Sequence, residues 1–386
     1  MDFFFLLAAV TLTALLVFGL QGVLGARRIR WLDDIAPSPA EPLPAVSIII
    51  PALNEEENIR PALLSVLALD YQPLEIIVIN DRSTDATAAI LAEIGAGHPR
   101  LTVLQVSELP AGWLGKNHAL HLGAGRAGGE YLLFTDADVV MERSTLKRAM
   151  TRMRAASLDH LTLFFKAVLP AGLLQMVVLE FGVSLISYLQ PWKASDPASD
   201  KFIGIGAFNL VRAAAYREAG GHGAIRLCPV DDIMLGKLLK CMGFRQECLY
   251  GYHFIAVKWY GSIRQMIRGL GKNTYAALEY SFSRLCLLTG LQLGVSIWPV
   301  WALVFTAGAT RLVNLAIIAL QGVLFVMAAH YSGMARRHVI WFLLTPYIRL
   351  YMTWQAVLTT ICQGGIVWRG TFYPLAELKK NRRRCP

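Results

Sequence analysis

Two acid pairs carry spacing that could do chemistry. Asp136 and Asp138 flank a single residue, and Asp231 and Asp232 are adjacent. In an extended segment residues two apart point the same way, so Asp136 and Asp138 would turn two carboxylates toward one place. Such a pair suits a hard divalent cation, Mg2+ or Mn2+, which completes its shell with water and phosphate oxygens. Asp231-Asp232 precedes the helical pattern Ile233 to Lys240. An aspartate is ionised at neutral pH and so is ready to act as a general base. The same pair would also suit a helix N-terminus. Asn80-Asp81 adds another acid, and Lys116 adds a cation able to offset phosphate charge. Gly123-Ala-Gly-Arg-Ala-Gly128 matches a dinucleotide fingerprint. It ends a helical pattern ahead of a strand, the reverse of what that fingerprint requires, and reads as a glycine helix stop.

These residues need a frame to hold them. Val46 to Pro51 reads as a buried strand, with a helical pattern beginning near Asn54-Glu55-Glu56-Glu57. Glu75 to Asp81 is a second strand, with Ser83-Thr84-Asp85 placed to cap the next helix. Leu101 to Val106 is a third strand and Lys116 to Ala127 a helix. Tyr131 to Asp138 is a fourth strand that ends in the two acids. Strands alternating with helices predict an α/β fold with a parallel sheet, whose ligands bind beyond the carboxyl ends of the strands. Asn80-Asp81 and Asp136-x-Asp138 both fall at such ends.

Composition places this frame beside a membrane. Of 386 residues 55% are hydrophobic and 17% charged. Soluble domains carry about 25% charged residues, so an ordinary soluble protein and a disordered chain are both excluded. The net charge of +10 suits an anionic membrane surface once the apolar excess is weighed, and no nucleic-acid partner is expected. Phe3–Ala26 is uncharged and long enough to span a bilayer. Arg27, Arg28 and Arg30 follow it and mark the cytoplasmic flank.

The expected plan therefore runs in five parts. Residues 1–26 form an N-terminal transmembrane helix, and residues 27–44 a basic, proline-rich linker. Residues 45–284 form a cytoplasmic catalytic domain, in which 167–192, with Glu180 its one charge, reads as an interfacial helix. Residues 285–335 form a transmembrane hairpin. Residues 336–386 form a re-entrant or third C-terminal membrane segment, interrupted by Pro346 and Arg349, plus a basic tail from Lys379 to Arg384. Six cysteines show no paired metal spacing.

The ordered set Pro51-Ala-Leu-Asn-Glu55, Asn80-Asp81-x-Ser83, Gly115-Lys116, Asp136-Ala-Asp138, Gly204-x-Gly206, Asp231-Asp232 and Gln265-Met-Ile-Arg268 resembles the membrane-bound family 2 glycosyltransferases. The resemblance covers about Val46 to Gly269, and Trp368-Arg369-Gly370-Thr371 is similar to a motif of their ceramide-, hopanoid- and carotenoid-type members. It implies a GT-A, Rossmann-like fold and an inverting enzyme of the cytoplasmic membrane. The donor would be a nucleoside-diphosphate sugar and the acceptor a lipid or lipid-soluble molecule.

Carried over residue by residue, Pro51, Ala52, Asn54 and Glu55 would line the nucleobase and ribose pocket, and Asp81 would accept a hydrogen bond from the base. Lys116 would approach the diphosphate. Asp136 would contact the ribose or the metal, and Asp138 would hold the metal. Asp232 would be the general base with Asp231 beside it. Gln265 and Arg268 would serve the diphosphate or acceptor. Gly269 stands where the family commonly has Trp, which favours single-sugar transfer over processive synthesis. A processive polysaccharide synthase, a nucleotidyltransferase and a catalytically silent membrane partner are the alternatives.

Overall fold

A computed structural model describes residues 3–38 and 42–380. Residues 39–41 of the linker and Arg382, Arg383 and Arg384 of the basic tail lie outside the described residues. The chain divides into two compact units. A sheet unit comprises Ile29–Val168 and Leu189–Trp259. A helical unit comprises Met1–Arg28, Leu169–Tyr188 and Tyr260–Lys380. The segment from Tyr260 to Arg284, which the sequence alone attached to the catalytic domain, thus clusters with the apolar helices.

The sheet unit is built on β1 (Val46–Ala52), β2 (Leu74–Asp81), β3 (Leu101–Val106) and β4 (Tyr131–Phe134). These are followed by β5 (Val139–Met141), β6 (His160–Phe164), β7 (Lys166–Val168), β8 (Asn209–Arg212), β9 (Gln246–Tyr250) and β10 (Ile255–Lys258). Seven of these strands form one sheet in the order β3-β2-β1-β4-β8-β6-β9. All pairings are parallel except those of β8, which runs antiparallel to β4 and β6. A smaller sheet of order β5-β10-β7 sits in the same unit. Every residue of β1 is buried, as expected of a central parallel strand covered on both faces. The helix Gly115–Arg126 packs closely on this sheet. A side chain at Gly123 would come within 2.5 Å of Ile49, so that glycine serves close helix–sheet contact.

Three local expectations change. The first helix begins at Ile59 rather than near Asn54. Asn54 is left-handed (φ 54°), and the acids after it are drawn into bonds with the β2 loop. Glu55 N donates to Thr87 Oγ1 at 2.8 Å, and Ala86 N donates to Glu56 Oε2 at 2.9 Å. Of Ser83, Thr84 and Asp85, Asp85 alone meets the first residue of the next helix, accepting from Thr87 N at 3.0 Å. Ser83 and Thr84 bond to Asn54 instead. Finally, β4 ends at Phe134, because Asp136 N leaves the ladder and donates to Gly206 O at 3.2 Å. Asp136 and Asp138 therefore lie in a turn, not on an extended strand.

In the helical unit, among the described residues, four helices are long and apolar enough to cross a membrane by length and composition. They are Phe3–Ala26, Leu173–Lys193, Phe282–Phe305 and Gly308–Tyr331. The chain then forms the short helical segment Arg336–Leu343, the helix Thr345–Cys362 and an antiparallel hairpin of β11 (Gly365–Trp368) and β12 (Thr371–Pro374). The two charges that interrupted apolar stretches in the sequence meet each other, as Arg349 Nε donates to Glu180 Oε1 at 2.8 Å.

Candidate active site

Three segments far apart in sequence meet around a cluster of acids beyond the end of β4. Asp136 comes from the turn after β4. Asp231 and Asp232 are the first two residues of the helix Asp231–Cys241. The third segment, Gly204 to Gly206, joins the other two. Gly206 N donates to Asp232 Oδ2 at 2.8 Å, and Gly206 O accepts from Asp136 N. A Cβ at Gly206 would lie 2.7 Å from Asp136 Oδ2, and one at Gly204 would overlap the carbonyl oxygen of Asp232. Gly236, one turn along the helix, would likewise overlap Ile203. The glycines are thus a consequence of backbone packed against backbone at the acid pair.

Lys116 stands in the middle of this cluster. Its Nζ is 2.8 Å from Asp136 Oδ1 and 3.3 Å from Asp231 Oδ2. Burial works against its charge, but Asp136, Asp231 and Asp232 outweigh burial and hold its pKa above the usual lysine value. The amine thus meets two carboxylates, one from each acid segment. Asp231 is 5% exposed, and its pKa is pushed up to about 6, mainly by burial. Burial also raises Asp232, while backbone N–H groups of Gly206 and Ile233 oppose the rise, each at 2.8 Å. These acids line a pocket with Lys116, Asn209 and His222.

A second group gathers at the ends of β1 and β2. Asp81 is 1% exposed and both its oxygens accept from Arg82, Oδ1 from Nε at 2.8 Å and Oδ2 from Nη2 at 3.1 Å. Arg82 and Asn54 are both left-handed, a conformation that costs a non-glycine residue of order 1 kcal/mol and clusters at functional sites. A Cβ at Gly115 would lie 2.5 Å from Asp81 Oδ2, so the glycine before Lys116 lets its helix start against Asp81. Pro51 and Ala52 are buried at the end of β1, and Asn54 and Glu55 continue into the loop.

Asp138 tests the fit of a cation. Its carboxyl is pushed up to about 7, first by burial and then by Asp136 and Glu55. The repulsion that Asp136 and Glu55 exert on Asp138 fits a divalent ion. Among the described residues no group of three His, Cys, Asp or Glu side chains forms a ligand set. The donor set therefore fits a cation that takes its remaining ligands from phosphate and water, and does not fit a closed structural site.

Gln265 and Arg268 belong to the helical unit, on the helix Ile263–Ala277. Gln265 Oε1 accepts from Gly261 N at 2.7 Å, and Arg268 is exposed. A side chain at Gly269 would meet Tyr260 at 2.7 Å, so the tyrosine takes the space where the family commonly has Trp. Arg82, Asn209 and His222 were not found from sequence. Arg82 had a signal, since it adjoins Asp81; Asn209 and His222 had none.

A family model described as glycosyl transferase family 2 matches residues 47–194. The chain carries a family 2 glycosyltransferase domain. This domain accounts for the strands and acids from β1 through Asp138. Over 226 residues the chain is 28% identical to a 4,4'-diaponeurosporenoate glycosyltransferase of Staphylococcus aureus. That match covers 56% of this chain and 56% of the relative, so the chain spans little more than half the length of the curated relatives it matches. A solved mannosyltransferase from Pyrobaculum calidifontis, in complex with GDP-Man and Mn2+, superposes with a TM-score of 0.53 at 19% identity. It covers 90% of this chain and 99% of its own. At that identity the likeness shows the fold, a GT-A fold, and the transferase domain has it.

Proposed function

We propose that this protein is a membrane-anchored inverting glycosyltransferase. It would move one sugar from a nucleoside-diphosphate donor to a lipid or lipid-soluble acceptor at the cytoplasmic face of the cell membrane. The observation that carries this reading is the convergence on Lys116 of Asp136, inside the family 2 match, and of Asp231 and Asp232, beyond it. The donor would lie across the ends of β1, β2 and β4, with its nucleoside toward Pro51, Ala52, Asn54, Glu55 and Asp81. Arg82 holds the Asp81 carboxylate in one plane and so orients it.

Asp232 is the general base in this reading. It would accept the proton of the acceptor hydroxyl as that oxygen attacks the anomeric carbon from the face opposite the leaving diphosphate. Gly206 N and Ile233 N fix its two oxygens, and burial raises its basicity. Lys116 keeps the neighbouring acids ionised and in place. Mg2+ or Mn2+ held by Asp136 and Asp138 would supply positive charge to the diphosphate. The Mn2+ of the mannosyltransferase structure and the name of the staphylococcal relative both support this reading.

Membrane attachment is proposed through Phe3–Ala26, Phe282–Phe305 and Gly308–Tyr331. We do not read the helix Leu173–Leu189 as a simple crossing. β6 before it and β8 after it pair in one sheet, so both its ends lead to the same side. This supports an interfacial or re-entrant helix. Gln265 and Arg268 keep the diphosphate or acceptor role that the resemblance implies.

The test is purified protein in lipid, incubated with a panel of nucleoside-diphosphate sugars, with mass analysis of the lipid extract. A product one sugar heavier than an extracted lipid is expected. Asp232→Asn should keep donor binding and lose transfer by at least about a hundredfold. Near wild-type turnover in that variant would remove the base. Diphosphate release from a nucleoside triphosphate would favour a nucleotidyltransferase, and long polymers would favour a processive synthase.

A further inference from the structure

The helical unit holds a half-used ion pair. Glu180 lies on the apolar helix Leu173–Leu189 and Arg349 on Thr345–Cys362. One hydrogen bond joins them, from Arg349 Nε to Glu180 Oε1 at 2.8 Å. A carboxylate and a guanidinium can form two parallel bonds. Here Glu180, 9% exposed, leaves Oε2 buried without a hydrogen-bond partner. The Arg349 side chain is 29% exposed, and its terminal nitrogens make no hydrogen bond among the described residues.

The pair is not needed to seat the helix. Met176 and Leu179 already pack against Ala329 and Val339, with Phe325 and Phe342 beside them. In a lipid-facing unit a buried acceptor without a partner is costly, and ionisable groups there mark ligand paths. Glu180 thus has one acceptor left over, and Arg349 has donors left over. A neutral hydroxyl matches both, because it donates and accepts at once. A carboxylate would find a donor on Arg349 but face the charge of Glu180. An alkane would match neither.

We propose that Glu180 and Arg349 form a binding site for the hydroxyl of a lipid alcohol. The proposal rests on the lipid-soluble acceptor of the preceding section and narrows it to a class, amphiphiles with a neutral hydroxylated head.

The experiment uses the full chain in nanodiscs and three probes of matched chain: geranylgeraniol, geranylgeranoic acid and the C20 hydrocarbon phytane. Binding is read by competition with a photoreactive isoprenoid alcohol. Wild type should bind the alcohol at least about tenfold more tightly than the acid or the hydrocarbon, as expected for hydrogen bonds to charged groups. The double variant Glu180→Met/Arg349→Met removes both charges and leaves neither one stranded, so it should fold. It should lose that preference, with its melting temperature and its affinity for nucleoside-diphosphate sugars unchanged. Equal binding of alcohol and hydrocarbon by wild type, or an unchanged preference in the double variant, would overturn the proposal and leave a structural ion pair. Should the double variant melt early, Glu180→Met in wild-type background decides, since it removes the acceptor: retained preference overturns the site, lost preference supports it. Pair-dependent binding of the alcohol without any sugar transfer would uphold the site and remove the transferase reading; transfer with no pair dependence would do the opposite.

Discussion

Replacing Lys116 with methionine tests the electrostatic centre of the site. The substitution keeps length and apolar stem but removes the one amine that meets Asp136 at 2.8 Å and Asp231 at 3.3 Å. At an effective dielectric of about 20 the first contact is worth about 6 and the second about 5 kcal/mol of Coulomb attraction, before desolvation of the lysine is subtracted. Removing one partner of a buried pair typically costs about 3–5 kcal/mol, because the acids left behind are uncompensated. The lysine side chain is 16% exposed, so the lower end applies, about 3 kcal/mol. For a domain of this size that lowers the melting temperature by about 6–12 °C. Differential scanning calorimetry of the full chain in detergent would read it from the sheet unit's transition. Asp231→Asn in the Lys116→Met background should recover at least about 1 kcal/mol, since it removes a stranded charge, whereas Asp231→Asn alone should destabilise. A Lys116→Met protein melting within about 2 °C of wild type, or additive single and double variants, would refute the view that this lysine holds the acids together.

Gly204→Ala should destabilise strongly, by about 3 kcal/mol or more, because the new Cβ overlaps the Asp232 carbonyl and neither backbone can yield cheaply; urea unfolding midpoints would show it. Asp138→Ala should abolish divalent-cation-dependent binding of the nucleotide sugar, and chelation should do the same to wild type; donor titration by calorimetry with and without Mn2+ checks both. Acid should destabilise the sheet unit through His160, whose pKa burial lowers to about 4 while Asn209 accepts from its Nε2 at 2.8 Å. Its folded value lies below the unfolded value of about 6.5, so its stabilisation is complete above pH 6.5 and is lost as pH falls toward 4. His160→Gln should shrink the difference in unfolding free energy between pH 7.5 and pH 5 by about 2 kcal/mol; an unchanged difference would remove His160 as the source.

Much of the frame was legible because its signals are local. The run Val46 to Ala52 is apolar but for Ser47, and only a strand covered on both faces buries such a run. The helix Gly115–Arg126 and the long apolar helices Phe3–Ala26 and Gly308–Tyr331 follow from periodicity and from apolar length. The acids were legible as types, and their spacing named the chemistry. Their arrangement was not. Asp136-x-Asp138 looked like the end of a strand, yet β4 stops at Phe134 because Asp136 N bonds to Gly206, seventy residues away. Lys116 looked like a free cation for phosphate, and only the fold places it between Asp136 and Asp231. Glu180 and Arg349 were two separate liabilities in apolar sequence, and only tertiary packing makes them partners. Residue type and short-range period determine which element forms and which charges are available. Which charge compensates which depends on contacts between residues 20 and 115 positions apart at Lys116 and 169 apart at Glu180, and no local pattern encodes those.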